Sequence, residues 1–327
     1  MTAAGSDGSR DWRPTATRAM LELRATLLAR TRAFFAARGV LEVDTPLVVN
    51  APVTDVHIHS ARVTLAASER DFFLHTSPEY AMKRLLAAGA GDIYQICHVV
   101  RALERGELHN AEFTLIEWYR RGYSLDALMS EVEALARELL GATGATFTCE
   151  RLSYREAFLQ ALALDPFTAP LPQLAEQARL SGFNGDAADR DELLELLMGT
   201  VVGPRLGRTG LTFVHGYPAS QAALARLDPV DPRAAQRFEL YCRGIELANG
   251  FHELTSAREQ RSRFERDIGE RRRLGLPAVW LDERLLAALE AGLPDCCGVA
   301  LGFDRTLMLA AAAQCIDAVL PFPIERA

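Results

Sequence analysis

The sequence predicts an α+β fold, with a mixed and mainly antiparallel sheet flanked by helices. Alternating segments are separated by polar loops, as in antiparallel hairpins. Capped helical patterns surround them, without the regular βαβ alternation of a parallel sheet. The 327 residues are 49% hydrophobic, which is ample for a self-sufficient core. No apolar run approaches the ~18 residues of a membrane span.

The first part of the chain predicts a tail, two helices and two short strands. Residues 1–11 are small and polar, which predicts a disordered tail before a folded domain over residues 12–327. A helix over Thr15–Arg38 follows a proline and ends at a glycine. Strands are predicted at Val40–Pro46 and Arg70–Thr76. Ser77-Pro78-Glu79 then starts a helix that ends near Ala88, with the serine as its N-cap.

A long antiparallel hairpin is predicted next, from strands Asp92–Arg101 and Glu112–Arg120. Side chains on one face of a strand recur every second residue. The second strand therefore places four residues on one face: Phe113, Leu115, Glu117 and Tyr119. Burying an unpaired acid costs several kcal/mol. Glu117 therefore either lies at the solvent margin or pairs with a cation.

The second part predicts more helices around short strands. A helix over Ser124–Leu140 is followed by a helical insertion over about residues 153–200, where Ser153 and Glu156 form a capping box. The predicted strands are Leu211–His215, Phe238–Leu247, Val279–Leu281 and Gly298–Leu301. A second capping box, Ser256 with Glu259, opens a charged helix that ends at Leu274 and is expected to present a solvated face. An apolar helix follows Asp304.

Charge and motifs exclude several classes of protein. The net charge of −7 argues against a surface devoted to nucleic acid. The six cysteines form no C-x-x-C pair and no secretory signal precedes them, which favours a reducing cytoplasm over a disulfide framework or zinc site. The P-loop, G-x-G-x-x-G and G-x-S-x-G motifs are absent.

Three islands of polar residues suggest a phosphate site without a P-loop: Arg101–Phe113, Gly244–Leu254 and Gly298–Arg305. An arginine fork matches phosphate oxygens, and paired carboxylates suit Mg²⁺. Glu246 and Glu253 are seven residues apart, so an unbroken strand would place them on opposite faces. A bulge at Asn249-Gly250 would align them, whereas a tight Asn-Gly hairpin turn is the alternative.

These islands belong to a series of motifs that resembles the class II aminoacyl-tRNA synthetases. Gly39–Pro46 resembles motif 1, Arg101–Tyr119 resembles motif 2 of the lysyl branch, and Gly298–Arg305 resembles motif 3. Thr76–Glu79 and Gly244–Leu254 also resemble the lysyl branch. The similarity runs from about Trp12 to Ala327 and implies the class II catalytic core, a homodimer formed through motif 1, and the use of ATP and Mg²⁺.

The chain begins at this catalytic core, and no anticodon-binding domain is expected before it. Together with the length of the chain and the segment Phe213–Leu224, which contains Pro218-Ala219-Ser220-Gln221, this expectation makes the chain similar to a protein-modifying relative of the lysyl branch. That resemblance implies activation of (R)-β-lysine as an adenylate and its transfer to a lysine side chain of elongation factor P, without tRNA or membrane. α-Lysine, another amino acid or acceptor, and a non-catalytic regulatory subunit stay open as alternatives.

The resemblance also implies roles for individual residues. Arg101 and Arg305 would be catalytic, on the α- and γ-phosphates. Residues expected around ATP are Arg101, Ala102, Leu103, His109, Asn110, Phe113, Glu246, Leu247, Gly302 and Arg305. Residues expected around the amino acid are Ser77, Pro78, Glu79, Glu117, Tyr119, Asn249 and Glu253, with Glu117 on the side-chain ammonium. Glu246 and Glu253 would hold Mg²⁺.

Three positions depart from the lysyl pattern. In the motif 2 loop, the usual His-Asn-Pro-Glu has Ala111 in place of the proline. Motif 2 normally reads Arg-x-Glu, but here Leu103 takes the place of the acid and Glu104 follows one residue later. Either ATP binding is weakened, or a shift of the loop lets Glu104 make the nucleotide contact in place of the missing acid. Ala300 stands where lysyl-tRNA synthetases have glycine, which reshapes the amino-acid pocket and favours the protein-modifying relative.

Overall fold

The computed structural model describes residues 12–65, 71–144, 146–185 and 189–327. The predicted tail over residues 1–11 lies outside them, as does Arg70. The strands are β1 (Leu41–Glu42), β2 (Val48–Val49), β3 (Arg62–Val63), β4 (Phe72–Leu74), β5 (Ile93–Val100), β6 (Glu112–Arg121), β7 (Thr148–Ser153), β8 (Gly210–Pro218), β9 (Ala234–Cys242), β10 (Ile245–His252) and β11 (Cys296–Gly302). The helices are α1 (Arg18–Ala36), α2 (Glu79–Ala87), α3 (Leu125–Leu140), α4 (Tyr154–Leu162), α5 (Leu171–Leu180), α6 (Arg190–Leu197), α7 (Ala257–Arg273), α8 (Glu283–Gly292) and α9 (Phe303–Ala310).

The predicted α+β class is confirmed. Within the described residues the main sheet has eight strands in the order β1-β5-β6-β11-β10-β9-β8-β7. The pairs at its two ends, β1 with β5 and β7 with β8, are parallel, and the inner pairs are antiparallel. A small antiparallel sheet, in the order β2-β4-β3, lies apart from it.

Helices α1, α3 and α9 cover one face of the main sheet. Phe35 from α1 and Leu135 from α3 join Trp118 of β6 and Phe303 of α9 in the largest apolar core. A second core packs α4, α5 and α6 against β8, and a third packs α2 against α8. The other face of the central strands is left free to form a site.

Several local predictions are confirmed. The hairpin is β5 with β6, and α3 begins after Ser124, whose side chain accepts a hydrogen bond from the Ala127 amide. Both halves of the capping box between Ser153 and Glu156 are present at α4. The second capping box is half formed: Ser256 caps α7, but the Glu259 carboxylate binds Arg263 instead.

The charged helix α7 has exposed charged residues along much of its length, but two of its arginines are not solvated. Arg263 and Arg271 are buried on it. Arg263 donates to the carbonyls of Ala223 and Ala225, and Arg271 donates to the carbonyl of Asp55. These two arginines hold loops at the edge of the site because the carbonyls of those loops accept their guanidinium hydrogens.

The prediction of a single strand over Phe238–Leu247 is wrong, because the chain reverses inside it. Arg243 and Gly244 both have positive φ, 52° and 77°, and join β9 to β10. Positive φ at both central residues matches the twist of a tight hairpin. The apolar run therefore belongs to two strands.

Neither alternative for Asn249-Gly250 is correct, because β10 runs straight through both residues. The bulge lies two residues earlier, opposite β9 between Glu246 and Ala248. Gly250 has another reason to be glycine: an added Cβ would lie 2.4 Å from the Phe238 ring and 3.1 Å from Val299. A bulge therefore does shift the strand's phase, at a different place from the one predicted.

Val279–Leu281 is not a strand, and α8 after it was not predicted. Trp280 packs edge-on against Phe73, with ring centroids 5.3 Å apart, and donates to the Asn50 carbonyl. These contacts of Trp280 hold residues 279–281 in place without pairing to another strand. Edge strand β7 was also missed. None of the described helices combines the length and apolar character needed to cross a bilayer.

Candidate active site

A cavity of about 540 Å³ opens on the free face of β6, β10 and β11. The sides of the cavity are formed by helix α2, by the segment over residues 49–60, and by Ala223 with Leu224. The predicted shared face of β6 is confirmed, since the side chains of all four residues line this cavity: Phe113, Leu115, Glu117 and Tyr119. The intervening Ile116 and Trp118 point into the apolar core.

Glu117 is the acid at the centre of one end of the cavity. Its side chain is 2% exposed, so the solvent-margin interpretation is wrong. The Ser77 and Tyr119 hydroxyls each donate to its carboxylate at 2.7 Å. Burial, followed by the charge of Glu79, raises the pKa of Glu117 to about 8. A cation beside Glu117 would favour the ionised form of its carboxyl group.

Lys83 lies behind two more acids at the same end. Its Nζ is 2.6 Å from Glu79 Oε1 and 2.6 Å from Glu253 Oε2, and its side chain is 1% exposed. Burial raises the pKa of Glu253 to about 7 even though Lys83 opposes that shift. For Lys83, burial alone would lower the pKa, but the charges of Glu253 and Glu79 raise it above its ordinary value.

Helix α2 positions part of this cluster through its first turn. The Ser77 hydroxyl accepts a hydrogen bond from the Glu79 amide at 3.0 Å, while it donates to Glu117. The helix begins one residue later than predicted, with Pro78 as its N-cap residue. Ser77 therefore links the start of α2 to β6.

The floor of this end requires small residues on β11. A Cβ on Gly298 would lie 2.3 Å from the Tyr119 ring and 2.4 Å from Glu253 Oε1. Ala300 pairs with Glu117 on one side and with Asn249 on the other, so its methyl lies between the two. The side chain at position 300 thus sets the depth of the cavity next to Glu117.

Arg101 marks the opposite end. Its guanidinium lies over the Phe113 ring, 5.2 Å from the centroid, and its Nη1 donates to Glu104 Oε1 at 3.0 Å. Glu104 lines the cavity, whereas Leu103 is 74% exposed and outside it. The loop thus directs the acid at 104, rather than the side chain at 103, toward Arg101.

Arg305, at the start of α9, joins this end to β10. Its Nη1 donates to the Glu246 carbonyl at 3.0 Å and lies 3.7 Å from the Glu246 carboxylate. Its Nη2 lies 2.5 Å from His109 Nε2. Burial and the charge of Arg305 lower the pKa of His109, so the neutral ring can accept this hydrogen bond.

The other residues expected around ATP are distributed as follows. Leu247 and Gly302 line the cavity. Asn110 also lines it, but its amide donates to the Glu112 carbonyl and accepts from the Ile324 amide. Ala102 lies outside the lining, and its amide donates to the His59 carbonyl.

Sequence reasoning missed two charged residues on β9 that line the cavity, Arg237 and Glu239. Arg237 donates to Glu239 at 2.5 Å and to Asn249 Oδ1 at 3.2 Å. Glu239 also accepts hydrogen bonds from the Tyr217 and Tyr241 hydroxyls. The alternation of Arg237, Glu239 and Tyr241 was a usable signal, obscured by merging two strands into one.

The two acids expected to bind Mg²⁺ differ in their surroundings. Burial and the charge of Glu239 raise the pKa of Glu246, and Arg305 is the cation nearest its carboxylate. Glu253 Oε2 is paired with Lys83, which leaves Oε1 facing the cavity near Gly298. No group of three His, Cys, Asp or Glu side chains in the described residues converges as metal ligands. The carboxylate oxygens fit Mg²⁺ provided that phosphates and water complete its shell.

Comparison with known proteins identifies the family. A family model described as "tRNA synthetases class II (D, K and N)" matches residues 7–326. The chain belongs to this class II synthetase family. A class II core therefore accounts for the antiparallel sheet and for the cavity on its free face.

Three relatives at nearly full length carry one name, "Elongation factor P--(R)-beta-lysine ligase". The chain is 48% identical to the protein from Vibrio cholerae over 97% of this chain and 99% of the relative. Identity is 49% to that from Edwardsiella ictaluri and 48% to that from Klebsiella pneumoniae, each over 97% of this chain and 98% of the relative. The resemblance expected from the motifs is thereby confirmed.

Proposed function

We propose that this protein activates (R)-β-lysine with ATP as an adenylate and transfers it to a lysine side chain of elongation factor P. The observation that carries the proposal is the charge at one end of the cavity. The carboxylates of Glu79 and Glu253 contact the one internal ammonium, Lys83, and Glu117 lies at the same end among the Ser77 and Tyr119 hydroxyls. When all of these acids are ionised, the formal charge of this end is −2. An amino acid with two ammonium groups balances that charge, and a neutral side chain does not.

The opposite end suits a nucleotide. In the first step a carboxylate oxygen of the amino acid attacks the α-phosphorus of ATP, and pyrophosphate leaves. Arg101 is placed to stabilise the charge that develops on the α-phosphate, because its fork matches two phosphate oxygens. Arg305 would bind the terminal phosphate. Mg²⁺, when bound by Glu246 with Glu253, would neutralise phosphate charge.

In the second step an uncharged lysine amine of the acceptor attacks the carbonyl carbon of the adenylate. The new amide bond forms, AMP leaves with the bonding electrons, and the amine loses a proton. The names of the relatives support elongation factor P as the acceptor. The retention of both Arg101 and Arg305 beside the cavity favours a catalyst over a regulatory subunit.

The acceptor is tested directly with purified elongation factor P and purified lysine tRNA. With ATP and radiolabelled (R)-β-lysine at physiological salt, label should enter the protein and not the tRNA. With a net charge of −7, the protein has little electrostatic attraction for the polyanionic tRNA. Efficient charging of the tRNA, or an unlabelled elongation factor P, would contradict the proposed acceptor.

The proposal also includes a homodimer working in the cytoplasm.

Use of the diamino acid should depend on pH because binding requires ionised carboxylates. The free site holds Glu117 with a pKa of about 8 and Glu253 with a pKa of about 7, so acid protonates both. With both carboxylates required, the KM for β-lysine should rise by about 500-fold between pH 8 and pH 6, since each pH unit below a pKa costs a factor of about ten for that group. Pyrophosphate exchange measured across that range, with the KM for ATP as the control, checks this. A flat KM for β-lysine would contradict it.

The departure in motif 2 gives a separate prediction about ATP. Because Glu104 contacts Arg101 and Leu103 points outward, Glu104→Ala should weaken ATP binding about 10- to 100-fold, the value of a charged hydrogen bond. Leu103→Glu should leave ATP affinity within about twofold, as a surface substitution does. Calorimetric titration of ATP into both variants is the measurement. Tighter binding by the Leu103 variant would mean that the contact is missing rather than moved.

A further inference from the structure

Lys83 is the only lysine in the chain, beside 35 arginines among the 36 basic residues. It does not line the cavity, so it cannot contact a bound amino acid directly. Its ammonium instead lies between Glu79 Oε1 and Glu253 Oε2, at 2.6 Å from each. These two carboxylates belong to α2 and to the residue after β10, which are far apart in the sequence. Lys83 thus joins two walls of the site.

The ion pairs of Lys83 are buried as well as short. The side chains of Lys83 and Glu253 are each 1% exposed, and that of Glu79 is 16% exposed. Removing one partner of a buried ion pair is strongly destabilising, because the other charge is left uncompensated. Lys83 therefore fixes the two carboxylates beside the cavity.

We propose that Lys83 is a positioning residue of the amino-acid site, which holds the carboxylates of Glu79 and Glu253 in place so that they can contact the ammonium groups of a diamino acid. This inference rests on the proposed function. Lysine suits the task because its point charge can lie between two carboxylates, whereas the wider arginine fork matches one carboxylate at a time.

The test compares Lys83→Met, Lys83→Arg and the wild type in pyrophosphate exchange at pH 7. Lys83→Met should raise the KM for β-lysine about 100-fold while the KM for ATP changes less than about threefold. Lys83→Arg keeps a charge and should recover part of the affinity. Arg18→Met is the matched control, because Arg18 forms an exposed i,i+4 ion pair with Glu22.

Calorimetric ATP binding to each variant reports on folding at the other end of the cavity. A KM for β-lysine that is unchanged in Lys83→Met would overturn the inference. So would a loss that extends to ATP binding, since it indicates only a structural role. A wild-type protein without exchange on any diamino acid would instead overturn the proposed function.

Discussion

Replacing Glu117 by glutamine should reduce use of the diamino acid by ~10²-fold or more, because breaking a buried charge pair costs about 3–5 kcal/mol. The Ser77 and Tyr119 hydroxyls that hold the carboxylate would remain in place. The loss should appear in kcat/KM for β-lysine and leave the affinity for ATP unchanged. Pyrophosphate exchange and ATP calorimetry measure the two quantities separately.

The same substitution should stabilise the empty protein. The folded-state pKa of Glu117, about 8, lies above its ordinary value, so folding favours the protonated form. The free energy of unfolding therefore falls as the pH rises from the ordinary pKa of a glutamate, 4.5, toward 8. Glutamine does not ionise, so the variant does not lose this part of the stability. Thermal unfolding at pH 8 should show a higher midpoint for Glu117→Gln, by about 2 °C or more. Glu112→Gln, on the same strand but half exposed, should change neither activity nor stability. If Glu117→Gln has the same kinetics as the wild type, Glu117 does not belong to the substrate site.

Replacing Arg101 by alanine should lower the rate of adenylate formation by about 10²- to 10³-fold, the usual loss when one group that stabilises transition-state charge is removed. Single-turnover formation of pyrophosphate measures this step without the acceptor. Arg121→Ala is a suitable control, because Arg121 lies at the far end of the same hairpin in an exposed pair with Asp92. Intact adenylate formation in Arg101→Ala would contradict an active enzyme of this kind.

The parts of the site that follow from local rules could be predicted from the sequence. The alternation of β6 placed Glu117 and Tyr119 on one face, and the helix start at Ser77 put Glu79 in the first turn of α2. Both depend on backbone periodicity within a few residues. The Asp282 side chain caps α8 by the same local rules, and that signal was overlooked.

Contacts between distant segments could not be predicted in this way. The ion pair between Lys83 and Glu253 depends on how α2 packs beside the end of β10, which no local pattern encodes. The turn at Arg243-Gly244 was also missed, because an arginine with positive φ carries no turn signal and the apolar run continues across it. The motif 2 loop illustrates the same limit: the sequence left Leu103 and Glu104 as alternatives, whereas the fold turns Glu104 toward Arg101.

The most direct test of the central claim is ATP–pyrophosphate exchange with a matched series of amino acids. The series comprises (R)-β-lysine, α-lysine and norleucine, which lacks the side-chain ammonium. Three acids, Glu79, Glu117 and Glu253, outnumber the single ammonium of Lys83 at this end of the cavity. This arrangement predicts rapid exchange with (R)-β-lysine and none above background with norleucine. Exchange with norleucine as rapid as with the diamino acids, or no exchange with either diamino acid, would contradict the account.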